Sequence, residues 1–155
     1  MGVVESERIA KPQAQCDLDC YAWCMEQAAR ARAGLPLDAE HVAEEIESMG
    51  RSDTREIVAR LEVPLRHLLT WHFQPELRGR NGVLTIETQR RAIASLIDES
   101  PSLAGLPAEA LPLAFKRARD AAAVETGLLA DAFPEVCPDS VEGALGRPLA
   151  DWCGV

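Results

Sequence analysis

Apolar residues in this chain recur mostly at three- and four-residue spacing, the period of one face of a helix. Between about Asp17 and Ala33 lies a first predicted helix, capped by the Asp17 carboxylate and stopped by Gly34; Leu35, Pro36 and Leu37 then form a turn. Ala39, Val42, Ile46 and Met49 mark a second helix that starts at Asp38, shows Glu40, Glu44 and Glu47 on its other face, and closes at Gly50. Asp53 and Glu56 have capping-box spacing for a third, whose stripe is Ile57, Leu61, Leu65, Leu68 and His72. Pro64 inside it removes one backbone donor and is expected to bend it. The stretch from Gln74 to Gly82 reads as a loop, followed by a fourth helix with Val83, Ile86, Ile93 and Leu96. Pro107 suits the first turn of a fifth, carrying Leu111, Phe115, Ala118 and Ala122 and stopping at Gly127. Asp139 and Glu142 precede a short C-terminal helix ended by Gly146 and Pro148. These elements predict an all-α, single-domain bundle of about five helices with a short C-terminal helix, residues 16–155, behind a flexible N-terminal arm, residues 1–15.

Composition adds limits. A chain of 155 residues with 47% hydrophobic and 26% charged positions can bury one core. No apolar run approaches a membrane span, and Met1 to Ala10 is acidic without an apolar core, so neither a span nor a secretory leader is expected. The net charge of −9 disfavours general nucleic-acid binding. That sum divides into −6 for residues 1–50, +3 for residues 51–91 and −6 for residues 92–155, which suggests internal pairing of a basic middle with acidic flanks. Five cysteines without a leader fit a reducing, cytoplasmic compartment. Cys16, Cys20 and Cys24 recur every fourth residue beside Leu18 and Trp23, and core packing is the expected use of that stripe; Cys137 and Cys153 are isolated.

The chemically capable side chains concentrate between Ala43 and Glu76. Gln89 and Arg90 fall on the apolar stripe of the fourth helix, and a buried guanidinium there requires a carboxylate. Glu44, Glu45 and Glu47 are the richest supply. The expected arrangement is therefore a structural polar network of Glu44, Glu45, Glu47, His67, Trp71, Gln89 and Arg90, in which Arg90 bridges to one of the three glutamates. Trp71, Gln74, Arg78 and Arg80 form a candidate binding face. A metal alternative would use His67, His72 and Glu44 or Glu47. The chain has no Glu-x-x-His pair of the kind that builds carboxylate metal sites in bundles, and no Gly-x-Ser-x-Gly turn for a nucleophile.

Several segments in order carry a resemblance: Asp17-x-x-x-Tyr21-Ala22-Trp23, the run from Ala43 to Ser52, His67-Leu68-Leu69-x-Trp71, Gln74-Pro75-Glu76, Gln89-Arg90, Ser100 to Leu103, Glu125 to Leu128, Phe133-Pro134 and Cys137-Pro138. Over about residues 16–145 the chain resembles the bacterial domain-of-unknown-function family number 29. The resemblance implies a small helical domain without an assigned activity. Pro64, and cysteines at Cys16 and Cys20 where aromatics are usual, depart from its pattern.

These readings rank a cytoplasmic bacterial interaction or accessory protein first, non-catalytic, without cofactor, and with an unidentified protein partner. A metal-dependent hydrolase-like bundle is the alternative, and a nucleic-acid-associated regulator acting through the basic middle is the weaker one. Oligomeric state is not legible in the sequence.

Overall fold

The computed structural model describes residues 18–148 and Asp151, except the side chain of Leu77. The expectations placed on residues 1–15, Cys16, Asp17 and Cys153 lie outside the described residues. The chain is all-α: among the described residues there is no strand, and five α-helices run α1 (Cys20–Arg32), α2 (Ala39–Phe73), α3 (Arg80–Glu99), α4 (Leu106–Thr126) and the short α5 (Val141–Gly146). Single 3-10 turns at Pro75–Leu77, Pro101–Leu103 and Ala130–Ala132 stand in the connections. The chain divides into two compact units, Met1–Arg51 and Ser52–Val155.

In the first unit, α1 is capped by Asp19, whose carboxylate accepts a hydrogen bond from the Ala22 N–H at 3.0 Å. It ends as expected at Gly34, where φ is +68°. There the Leu35 N–H reaches the Arg30 carbonyl at 3.0 Å and the Gly34 N–H reaches that of Ala31 at 3.2 Å, a paired closure that a residue without Cβ adopts at least cost. The turn into α2 is tied by side chains. The Gln27 carbonyl oxygen accepts from the Asp38 N–H at 3.1 Å, and Arg30 Nε donates to the Pro36 carbonyl at 2.8 Å. Beside it, His41 Nδ1 lies 2.6 Å from Asp38 Oδ2, and the His41 ring meets Trp23 edge-on at 6.5 Å.

The predicted second and third helices are one. Gly50 does not close a helix; α2 runs 35 residues through it and through Pro64. Glycine in a helix interior costs about 1 kcal/mol relative to alanine. Here no left-handed turn follows, since the described glycines with positive φ are Gly34 and Gly127. The Arg51 guanidinium reaches back to Glu47 at 3.4 Å across the glycine, and Asp53 and Glu56 lie within the helix instead of capping one. Two further boundaries differ. Arg80, Asn81 and Gly82, expected in a loop, form the first turn of α3. The cap of α5 is Ser140, whose hydroxyl accepts from the Gly143 N–H at 3.1 Å, while Asp139 binds Arg147 at 2.9 Å and lies where any side chain on Gly143 would collide with it.

The core of the second unit follows the predicted stripes. Ile57, Leu61, Leu65, Leu68 and Leu69 of α2, Ile86 and Ile93 of α3, and Phe115 of α4 are buried together with Phe133 and Val141. Ala110, Ala114, Ala118 and Ala122 form a four-residue repeat of buried small side chains along α4, which permits close approach of its neighbours. Pro107 stands in the first turn of α4, and Gly127 terminates the helix with φ +71°.

Candidate functional site

The apolar face of the first unit remains open. Trp23 is buried, yet Leu37, Ile46 and Met49 are 40%, 64% and 70% exposed, although the last two share the spacing that elsewhere marks core. Between α1 and the first turns of α2 they border a groove of about 400 Å³ whose walls also include Trp23, Cys24, Ala28, Ala31 and Val42. Among the described residues Glu45 is the one charged side chain lining it, and Gln27 is already engaged by Asp38. Cys20 and Cys24 are exposed free thiols, so these two are not core packing. Helix rotation explains this: Trp23 turns the buried side of α1 away from Cys20 and Cys24. The Cys24 thiol is shifted upward by desolvation, by neighbouring Cys20 and by the Glu45 carboxylate, which keeps it protonated and a poor nucleophile.

The second unit holds a smaller recess of about 100 Å³, lined by His67, Thr70, Trp71, Gly79, Gly82, Ile86 and Glu125. Ligand pockets typically occupy about 300–1,000 Å³, so this one has room for a few waters and the groove has room for a ligand. Desolvation lowers the His67 pKa, the adjacent Arg66 cation lowers it further, and Glu125 opposes both. The imidazole is accordingly neutral near pH 7. Arg66 Nε lies 3.5 Å from Glu125, and the Thr70 hydroxyl donates to the Arg66 carbonyl at 3.0 Å.

Each residue named from the sequence has a definite place. Glu44 and Glu47 are exposed and Glu45 half-buried, all in the first unit; His67, Trp71, Gln89 and Arg90 belong to the second. The carboxylate bound by Arg90 is Glu87, one helical turn back at 3.0 Å, in place of the expected Glu44, Glu45 or Glu47. Its Nε and Nη2 donate to the Ala144 carbonyl at 3.1 and 2.8 Å, which satisfies a guanidinium that is only 8% exposed. Gln89 accepts from Arg60 Nη1 at 3.2 Å, and Arg60 also pairs with Glu56. In the candidate face, the Arg78 guanidinium lies over the Trp71 ring at 5.3 Å and its Nε donates to the Trp71 carbonyl at 2.7 Å. Gln74 donates to the Thr126 carbonyl at 3.1 Å, and Arg80 is exposed. His72 packs edge-on against Phe73. Among the described residues no three His, Cys, Asp or Glu side chains converge as metal ligands.

Sequence reasoning missed Glu87, although its three-residue spacing from Arg90 was readable, and it missed the Ala144 carbonyl, which no side chain announces. It also missed the groove, because an uncovered apolar stripe and a covered one are spelled alike. No described helix is long and apolar enough to cross a membrane. Among known proteins, residues 16–149 match the family model described as a domain of unknown function, DUF29. No curated protein and no solved structure matches the chain.

Proposed function

The chain belongs to the DUF29 family, and from that premise we propose that it is a non-catalytic interaction or accessory protein that docks a protein partner through its first unit. The observation that carries this reading is the groove between α1 and α2, where Ile46 and Met49 present apolar side chains at helical spacing to solvent. Of the seven large hydrophobic side chains exposed among residues 18–51, Leu37, Ile46 and Met49 meet in this one groove, and a contiguous exposed apolar surface marks an interaction site. The polar groups of the second unit support the non-catalytic half of the reading: Arg90, Gln89 and Gln74 are engaged in bonds that tie separate parts of the fold together, and Arg78 in one that holds the turn after α2 to that helix. The free thiols of Cys20, Cys24 and Cys137 agree with action in a bacterial cytoplasm.

The test is site-specific crosslinking in the native host. A photoreactive residue at position 49 should give discrete protein adducts that disappear in the Ile46→Asp background, and one at exposed position 117 should give none. Equal labelling from both positions, or none from either, would remove the groove as a docking site.

A further inference from the structure

Glu45 is the feature of the groove that its apolar walls do not explain. It stands half-buried beside Val42, Ile46 and Met49, and among the described residues it forms no ion pair with Lys or Arg. Glu40 and Glu44 form no such pair either, on the face of α2 turned from the groove. Residues 18–51 carry seven acidic and three basic side chains, and two of the three arginines are already occupied, Arg30 by Pro36 and Glu26, Arg51 by Glu47. The groove therefore has an apolar floor and, on its wall, the carboxylate of Glu45, within a stretch of net negative charge. A partly desolvated carboxylate gains most from a cation brought to it, and a surplus of one sign attracts the opposite one over the distance of a surface patch.

The walls also specify shape. Val42, Ile46 and Met49 lie at i, i+4 and i+7 along α2, and Cys24, Ala28 and Ala31 repeat the same spacing along α1. Each ridge runs about 11 Å at a rise of about 1.5 Å per residue, so the space between them is elongated. Two helical ridges leave a trough whose complement is a third helix.

Resting on the docking reading above, we infer that the groove receives an amphipathic helix of a partner protein, with an apolar face on Ile46 and Met49 and a lysine or arginine at its border that pairs with Glu45. The small size of Ala28 and Ala31 leaves room for that helix's larger apolar side chains.

Fluorescence anisotropy on the full chain tests this with three synthetic helical peptides. One has a leucine face flanked by lysines, the second the same face flanked by glutamates, and the third the lysines with the leucines replaced by glutamine. The first should bind saturably, the other two should not. Ile46→Asp and Met49→Glu should abolish its binding while leaving the thermal melt unchanged, since both side chains are mostly exposed. Glu45→Gln should weaken it about fivefold and reduce its salt dependence. Equal binding of the lysine and glutamate peptides would overturn the charge assignment and leave the groove as a docking site. Binding of the leucine-free peptide, or of none, would overturn the helix itself, while the crosslinking at position 49 separately decides whether a partner docks there. A self-association that sedimentation detects and Ile46→Asp abolishes would make a second copy of the chain the occupant, against the inference.

Discussion

The two units use the same helical spacing of apolar residues to opposite ends. In the second, the stripe Ile57, Leu61, Leu65 and Leu68 is closed over by α3 and α4, and each of these side chains is at most 1% exposed. In the first, Val42, Ile46 and Met49 repeat the spacing, and Ile46 and Met49 meet solvent. Burial of a leucine or isoleucine side chain contributes about 1.5–3 kcal/mol, so this difference concentrates the stability of the molecule in one unit and its unspent apolar surface in the other. An amphipathic pattern therefore records a face that seeks a cover without recording whether the cover lies within the chain.

The contrast breaks most visibly by truncation of side chains. Leu61→Ala or Leu68→Ala should cost about 2–5 kcal/mol in urea denaturation, whereas Ile46→Ala should cost less than about 0.5 kcal/mol. A large loss at position 46 would mean that the first unit has a closed core after all. Next in size is the latch of the second unit. Arg90→Ala leaves the buried Ala144 carbonyl without its donors and should cost about 2 kcal/mol, while Glu87→Gln, at the exposed side of the same guanidinium, should cost under about 1 kcal/mol. A double-mutant cycle that assigned the larger share to Glu87 would reverse that ordering.

Backbone substitutions sharpen the comparison further. Gly127→Ala forces a side chain into φ +71° and should destabilise by about 1 kcal/mol. Gly50→Ala, in helical backbone with open space around it, should stabilise by about 0.5–1 kcal/mol. Destabilisation at position 50 would restore the helix end that its glycine suggested. The smallest effect concerns His67. Its pKa is lowered in the folded chain, so the unfolded chain takes up the proton first as pH falls through about 6.5. Stability present at pH 7 is therefore lost progressively below that point until the folded-state pKa is passed. His67→Gln should flatten the dependence of Tm on pH between about 7 and 5, modestly because solvent screens a half-exposed ring. A steeper dependence in the variant would contradict the direction of the shift.

These measurements also bear on what the chain spells out. The stripes of α3 and α4, the start at Pro107 and the stops at Gly34 and Gly127 were legible because each is a local preference agreeing with its surroundings. Gly50 misled because glycine signals a stop only where the backbone turns left-handed, and here it keeps helical dihedrals. Asp139 and Ser140 both fit a cap, and the hydroxyl holds the N–H while the carboxylate is drawn to Arg147. Of the candidate site, the need of Arg90 for an acidic partner was readable and the choice of Glu87 was a matter of nearest reach. The groove was beyond sequence logic, because its existence depends on what does not pack there.

The bond from Arg90 to the carbonyl of Ala144 has an evolutionary corollary. Its acceptor is main chain, so any residue small enough for position 144 preserves it, and a survey of paired substitutions across relatives would find Arg90 coupled to nothing there. What selection must keep at that spot is a path of the backbone: insertions or deletions between Phe133 and Ala144 would expose the guanidinium's dependence far more readily than exchanges of amino acid.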